Sequence, residues 1–120
     1  MSPAAKRKDG NLQRFGRVLM LREGKIDEYE RYHANVDPGV LKATSASGIR
    51  NYSIFRYDKW LFSYFELPEG RRLEDVSKEL MGNPDCVRWE ALMHELQEPL
   101  PQSGEGNYWV LMKEVWHQLP

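Results

Sequence analysis

IRNYSIFRYDKWLFSYFEL, residues 49–67, is dense in aromatic and aliphatic side chains and is interrupted only by Asp58-Lys59. Strands over 49–57 and 60–67 joined by two residues predict a tight antiparallel hairpin, although Asp-Lys lacks the glycine such turns favour. The hairpin needs partners on either side, and both flanks supply them. Upstream, residues 14–22 (RFGRVLMLR) form a plausible first strand with a continuous apolar centre at Val18–Leu21. Glu23-Gly24 breaks it. Residues 25–35 then read as a helix, with Ile26, Tyr29 and His33 on one face at spacings of three and four. Asp37-Pro38 has the form of an N-cap followed by proline at the first helical position, so a second short helix starts there and stops near Gly48.

Downstream of the hairpin, residues 71–81 look helical, with Leu73, Val76 and Leu80 as the apolar stripe. Asn83-Pro84-Asp85 starts another helix, whose inner face is Trp89, Leu92, Met93 and Leu96; Pro99 and Pro101 end it. Residues 104–107 read as a loop and 108–116 as a last strand. The order is strand, helix, strand, strand, helix, strand, with each helical stretch broken in two. This is an α+β chain of the ferredoxin-like, split β-α-β-β-α-β kind: an antiparallel sheet with helices on one face. The open face of such a sheet should be polar, yet Val18 and Met20 are as apolar as Leu19 and Leu21, and Val110 and Met112 as apolar as Trp109 and Leu111. A homodimer packing sheet on sheet into an α+β barrel would cover both faces.

Length and composition bound the rest. The 120 residues make one domain, expected over residues 14–120 behind a flexible tail, 1–13, in which Lys6, Arg7 and Lys8 form a short basic cluster. A formal net charge of -1 gives no overall pull toward nucleic acid or an anionic membrane. No apolar run approaches the roughly 18 residues of a membrane span, and no signal-peptide core follows the N-terminus. The single cysteine, Cys86, excludes an intramolecular disulfide and is compatible with a cytoplasmic home.

His33 is the first candidate for chemistry. It follows Tyr29 by one helical turn, so both polar tips can converge above the sheet, and imidazole exchanges protons near neutral pH. A core histidine bonded to a backbone carbonyl would show the same pattern. Tyr52 and Tyr64, on the hairpin strands, offer hydroxyls and rings to a pocket, or serve simply as good strand formers. Trp89 suits the apolar face of a sugar ring but equally suits the core, and Glu90 beside it reads by default as a solvated carboxylate. His94 and His117 lack ligand spacing, so no metal site is expected. There is no GxSxG elbow and no glycine-rich phosphate loop. Glu28, Glu30 and Glu66 are possible acid–base partners without a specific signal.

Four segments in register go further. Residues 28–33 (EYERYH), 48–54 (GIRNYSI), 61–66 (LFSYFE) and 86–89 (CVRW) together resemble the L-rhamnose mutarotase family, including its L-fucose mutarotase relatives, over about residues 14–120. The resemblance implies a dimeric ferredoxin-like isomerase that interconverts the α and β anomers of a 6-deoxyhexose by acid–base ring opening. It requires no metal, nucleotide or redox cofactor, and its partners are a monosaccharide and a second copy of the chain. It also implies that His33 gives a proton to the ring oxygen while Tyr29, Tyr52 and Trp89 line the sugar pocket, the complementary base being undetermined. The family's Trp-Trp pair is Trp89-Glu90 here, so a carboxylate stands where the second ring would be, available to bond sugar hydroxyls or to turn to solvent. By fold alone, a dimeric monooxygenase is the alternative; a non-catalytic sugar-binding regulator is another.

Overall fold

A computed structural model describes residues 11–104 and 108–120; the basic cluster of the expected tail and most of the expected 104–107 loop lie outside them. The elements in chain order are β1 (Leu12–Leu21), α1 (Ile26–His33), α2 (Pro38–Ala46), β2 (Arg50–Tyr57), β3 (Trp60–Pro68), α3 (Leu73–Met81), α4 (Pro84–Leu96), β4 (Gln97–Glu98) and β5 (Val110–Met112). The hairpin forms as expected, with Tyr57 opposite Trp60. Asp58 takes the left-handed φ of 52° that glycine would otherwise supply, which aspartate tolerates better than most side chains. The expected cap at Asp37 forms, its side chain accepting from the Gly39 amide, and at the expected start of the last helix the Asn83 side chain accepts from the Asp85 and Cys86 amides.

All pairings are antiparallel, in the order β2-β3-β1-β4, with β5 also on β1. Two expectations change here. β1 starts at Leu12, so the sheet takes in residues assigned to the tail. The long last strand shrinks to three residues, because β1 has its outer edge filled by two short segments. Gln97–Glu98 pairs at the Met20–Leu21 end and Val110–Met112 at the Gly16–Val18 end. Gly16 lies at that second crossing, where an added Cβ would stand 3.3 Å from the end of the Met112 side chain.

The helices pack on one face of the sheet. There Leu19, Leu21 and Leu61 are buried with Tyr29, Met93 and Leu96, while Phe65 and Leu67 are buried with Val76. These are two clusters, not one. Between them, on neighbouring strands, stand Arg17 and Ser63, paired directly across β1 and β3. The inner-face run Phe15, Arg17, Leu19, Leu21 is thus interrupted at the same rung as Phe65, Ser63, Leu61.

The outer face carries rows of apolar residues: Val110–Val18–Phe62–Phe55 and Met20–Trp60–Tyr57. Phe55 is 64% and Tyr57 76% exposed. Beyond β5, Val115, Trp116 and Leu119 are exposed as well.

Candidate active site

The break in the inner face opens a cavity of about 250 Å³ between sheet and helices, lined among others by Arg17, Tyr29, His33, Tyr52, Trp89 and Gln97. It adjoins a broader cleft of about 830 Å³ that shares Tyr29, His33, Tyr52 and Trp89 and extends toward α2. The sequence candidates His33, Tyr29, Tyr52 and Trp89 therefore meet in one place.

His33 ends α1. Its Nδ1 lies 2.9 Å from the carbonyl oxygen of Tyr29, one turn earlier. A carbonyl only accepts, so Nδ1 carries the hydrogen and Nε2 of the neutral ring is left with a lone pair. Burial holds His33 below the usual histidine pKa, opposed by that backbone bond. The backbone-carbonyl bond expected of a core histidine is present, and the ring also lines the cavity. Its ring stacks on Tyr29 at 4.2 Å between centroids and meets Trp89 edge-on at 5.3 Å.

Tyr29 is 4% exposed. Burial pushes its phenol well above the ordinary tyrosine range, with the nearby Tyr52 adding to the rise, so it stays protonated. The side chain of Gln97 reaches this hydroxyl. Gln97 is 2% exposed, and its Oε1 is buried without a hydrogen-bond partner among the described residues. A buried acceptor facing a cavity is costly unless a ligand satisfies it.

Tyr52 owes its place to a bulge. Asn51 and Tyr52 together oppose the single residue Phe65, since Arg50 pairs with Glu66 and Ser53 with Tyr64. Asn51 takes a φ of 52° and its side-chain amide donates to Glu66. The Tyr52 ring lies 5.6 Å from that of Phe65, and its Oη accepts from Arg17 Nη2 at 2.7 Å. Arg17 is fixed in turn: Nε donates to Ser63 Oγ at 3.0 Å, and the guanidinium lies over Trp109 and Phe65, 4.6 and 4.9 Å from the ring centroids.

Glu90 reaches the cavity wall, but its carboxylate sits 3.0 Å from His94 Nε2, one turn later on α4. His94 stacks on Tyr108 at 4.0 Å. Of the remaining candidates, Glu30 borders the broader cleft. Tyr64 is on the outer face and donates to Glu66, with its own phenol pushed up to about 12 by burial and that carboxylate. Glu30 accepts from Arg56 and Glu28 pairs with Lys25. Among the described residues no group of three or more His, Cys, Asp or Glu is placed to hold a metal ion, and no helix is long and apolar enough to cross a membrane.

Sequence reading missed Arg17, Ser63 and Gln97. The first two did leave a signal, since each is a polar residue flanked in phase by apolar neighbours on both sides along its strand. Gln97 left none.

The family model described as L-rhamnose mutarotase matches residues 14–118. An L-rhamnose mutarotase of Lactiplantibacillus plantarum is 32% identical over 108 residues, 87% of this chain and 96% of that protein. One of Clostridium beijerinckii is 33% identical over 89 residues, 72% and 81%. An L-fucose mutarotase of Xanthomonas campestris is 32% identical over 103 residues, 82% of each. The crystal structure of an L-rhamnose mutarotase from Formosa agariphila shares the fold, with a TM-score of 0.70 at 18% identity, covering 89% of this chain and 99% of that one.

Proposed function

The chain belongs to the L-rhamnose mutarotase family and is a sugar mutarotase, and on that premise we propose that it interconverts the anomers of a 6-deoxyhexose, L-rhamnose or L-fucose, in the cavity around His33. Relatives acting in name on each of the two sugars are about equally similar, which supports both substrates. The observation that carries the site assignment is the hydrogen bond from His33 Nδ1 to the Tyr29 carbonyl. It leaves Nε2 as a proton acceptor on a residue that lines the cavity, beside Trp89, an aromatic ring suited to the apolar side of a sugar.

In this reading His33 removes the proton of the anomeric hydroxyl, O1, and returns it when the ring closes. That exchanges the role expected from sequence, which gave His33 the ring-oxygen proton. The neutral, Nδ1-protonated ring accepts first and donates only on the way back. The Gln97 amide donates to the Tyr29 hydroxyl, which leaves that hydroxyl's hydrogen for the sugar, and Tyr29 stays a phenol throughout. Trp89 forms the apolar wall, and Glu90 takes a sugar hydroxyl at the cavity edge.

The same reading includes a homodimer of ferredoxin-like protomers. The strand order β2-β3-β1-β4 supports the ferredoxin-like arrangement, and the uncovered rows of Val18, Met20, Phe55, Tyr57, Trp60 and Phe62 support sheet-on-sheet packing. A cytoplasmic location goes with it, compatible with the free thiol of Cys86.

The test is NMR exchange spectroscopy of the protein with L-rhamnose and with L-fucose, at a temperature where spontaneous exchange is slow. Protein-dependent exchange cross-peaks between anomers are expected, and their rates rank the two sugars. No acceleration for either sugar would overturn the 6-deoxyhexose assignment.

A further inference from the structure

Opening a cyclic hemiacetal needs two proton transfers, one away from O1 and one to the ring oxygen, O5. The hydrogen bond at Nδ1 makes His33 Nε2 the acceptor, and the cavity then needs a donor. Two phenols line it with His33. Tyr29 is a poor choice, because losing its proton would leave an anion on a side chain 4% exposed, packed in an apolar cluster with the neutral Gln97 side chain at its hydroxyl. Tyr52 differs. Arg17 Nη2 donates to its Oη at 2.7 Å, which occupies one lone pair with an ionised donor and turns the Tyr52 hydrogen away from the guanidinium. An anion formed on Oη would remain against a cation that already touches it.

We propose that Tyr52 delivers the proton to O5, and that Arg17 is the positioning residue that orients the Tyr52 hydroxyl and receives the charge left behind. This rests on the mutarotase reading of the same cavity. His33 Nε2 takes the O1 hydrogen; the O1–H electrons form the C1=O1 bond, the C1–O5 bond breaks, and O5 takes the hydrogen of Tyr52 Oη. The protein is left with an imidazolium at His33 and a phenolate held by Arg17. After rotation about C1–C2, O5 attacks the other face of the carbonyl and returns its proton to Tyr52, while O1 takes its proton from His33. No net proton or electron is consumed. The surroundings of Arg17 fit the role: Ser63 across the sheet holds Nε, and the Phe65 and Trp109 rings flank the guanidinium, so Nη2 stays aimed at Oη.

The experiment is a double-mutant cycle on Tyr52→Phe and Arg17→Met, read as kcat and KM for anomer exchange, with thermal unfolding of each variant as the check on folding. Tyr52→Phe keeps the ring and removes only the donor, so kcat should fall by about 100-fold or more with KM changed far less. Arg17→Met should lower kcat by about tenfold in the wild-type background and by less than about twofold when Tyr52 is already phenylalanine, because its effect runs through that hydroxyl. Arg17→Lys, which keeps a charged donor, should recover part of the loss and guards against a variant that fails to fold. Equal losses from Arg17→Met in both backgrounds would overturn the positioning role. Tyr52→Phe with unchanged kcat and raised KM, in a protein whose wild type is active, would overturn the proton-donor role and leave the mutarotase reading standing. An inactive wild type would remove both.

Discussion

The two faces of the sheet are inverted relative to the usual arrangement. The inner face, under the helices, carries a cation, two hydroxyls and an unpartnered amide oxygen in the gap between its two apolar clusters. The outer face, uncovered, presents Phe55, Tyr57, Trp60 and Phe62. A polar gap inside a core is destabilising unless its groups are satisfied, and an apolar face in water invites a partner. In the proposed reading the difference separates two jobs: the covered face holds the substrate and the uncovered face holds a second subunit.

The largest expected effect lies on the inner face. His33→Ala removes the proposed proton acceptor and should lower anomer exchange by about 100-fold or more while the thermal transition stays cooperative. Exchange near the wild-type rate would remove His33 from the chemistry. Gln97→Leu comes next. It deletes the unpartnered acceptor and the contact to the Tyr29 hydroxyl, so KM should rise roughly tenfold, the equivalent of about 1.4 kcal/mol, with a smaller change in kcat. An unchanged KM would mean that Oε1 never meets the sugar. On the outer face, the double substitution Phe55→Lys with Phe62→Lys puts two charges on one apolar row. Sedimentation should then report monomer where the wild type gives dimer, with exchange per chain within about threefold of wild type if each cavity is complete in one protomer. A wild-type protein that sediments only as monomer would break the comparison at its outer half.

What the sequence disclosed follows the same division. The hairpin was legible because strand, turn and strand are contiguous, and the helix starts at Asp37 and Asn83 because such signals are local. His33, Tyr29 and Trp89 were legible as helix positions sharing a face. The bulge at Asn51 was not, since two residues oppose one only once the register with β3 is known. Nor was the pairing of Arg17 with Ser63, which lie 46 residues apart and look unremarkable until the strands are aligned and one face is known to be covered. β4 was invisible for a simpler reason. Two residues after a helix carry no periodicity, and Gln97 is placed by the free edge of β1.

The smallest effect expected is in the dependence on pH, and it sharpens the inner half of the comparison. Burial depresses the His33 pKa below its ordinary value of 6.5. The imidazole thus keeps its accepting lone pair to more acid pH than a solvated histidine would. The acid limb of kcat/KM should fall below pH 6.5 and disappear as a titration in His33→Ala. Folding stability is linked to the same group. Between the folded and unfolded pKa values the unfolded chain binds more protons, so stability rises with pH across that window and declines as pH falls from 6.5 toward the depressed value. Above the window both states are neutral and the contribution is constant. Comparing the pH dependence of unfolding in the wild type and His33→Ala isolates it. A wild-type acid limb at or above 6.5 would mean that the ring is better solvated, or better stabilised as a cation, than its place between Tyr29 and Trp89 implies.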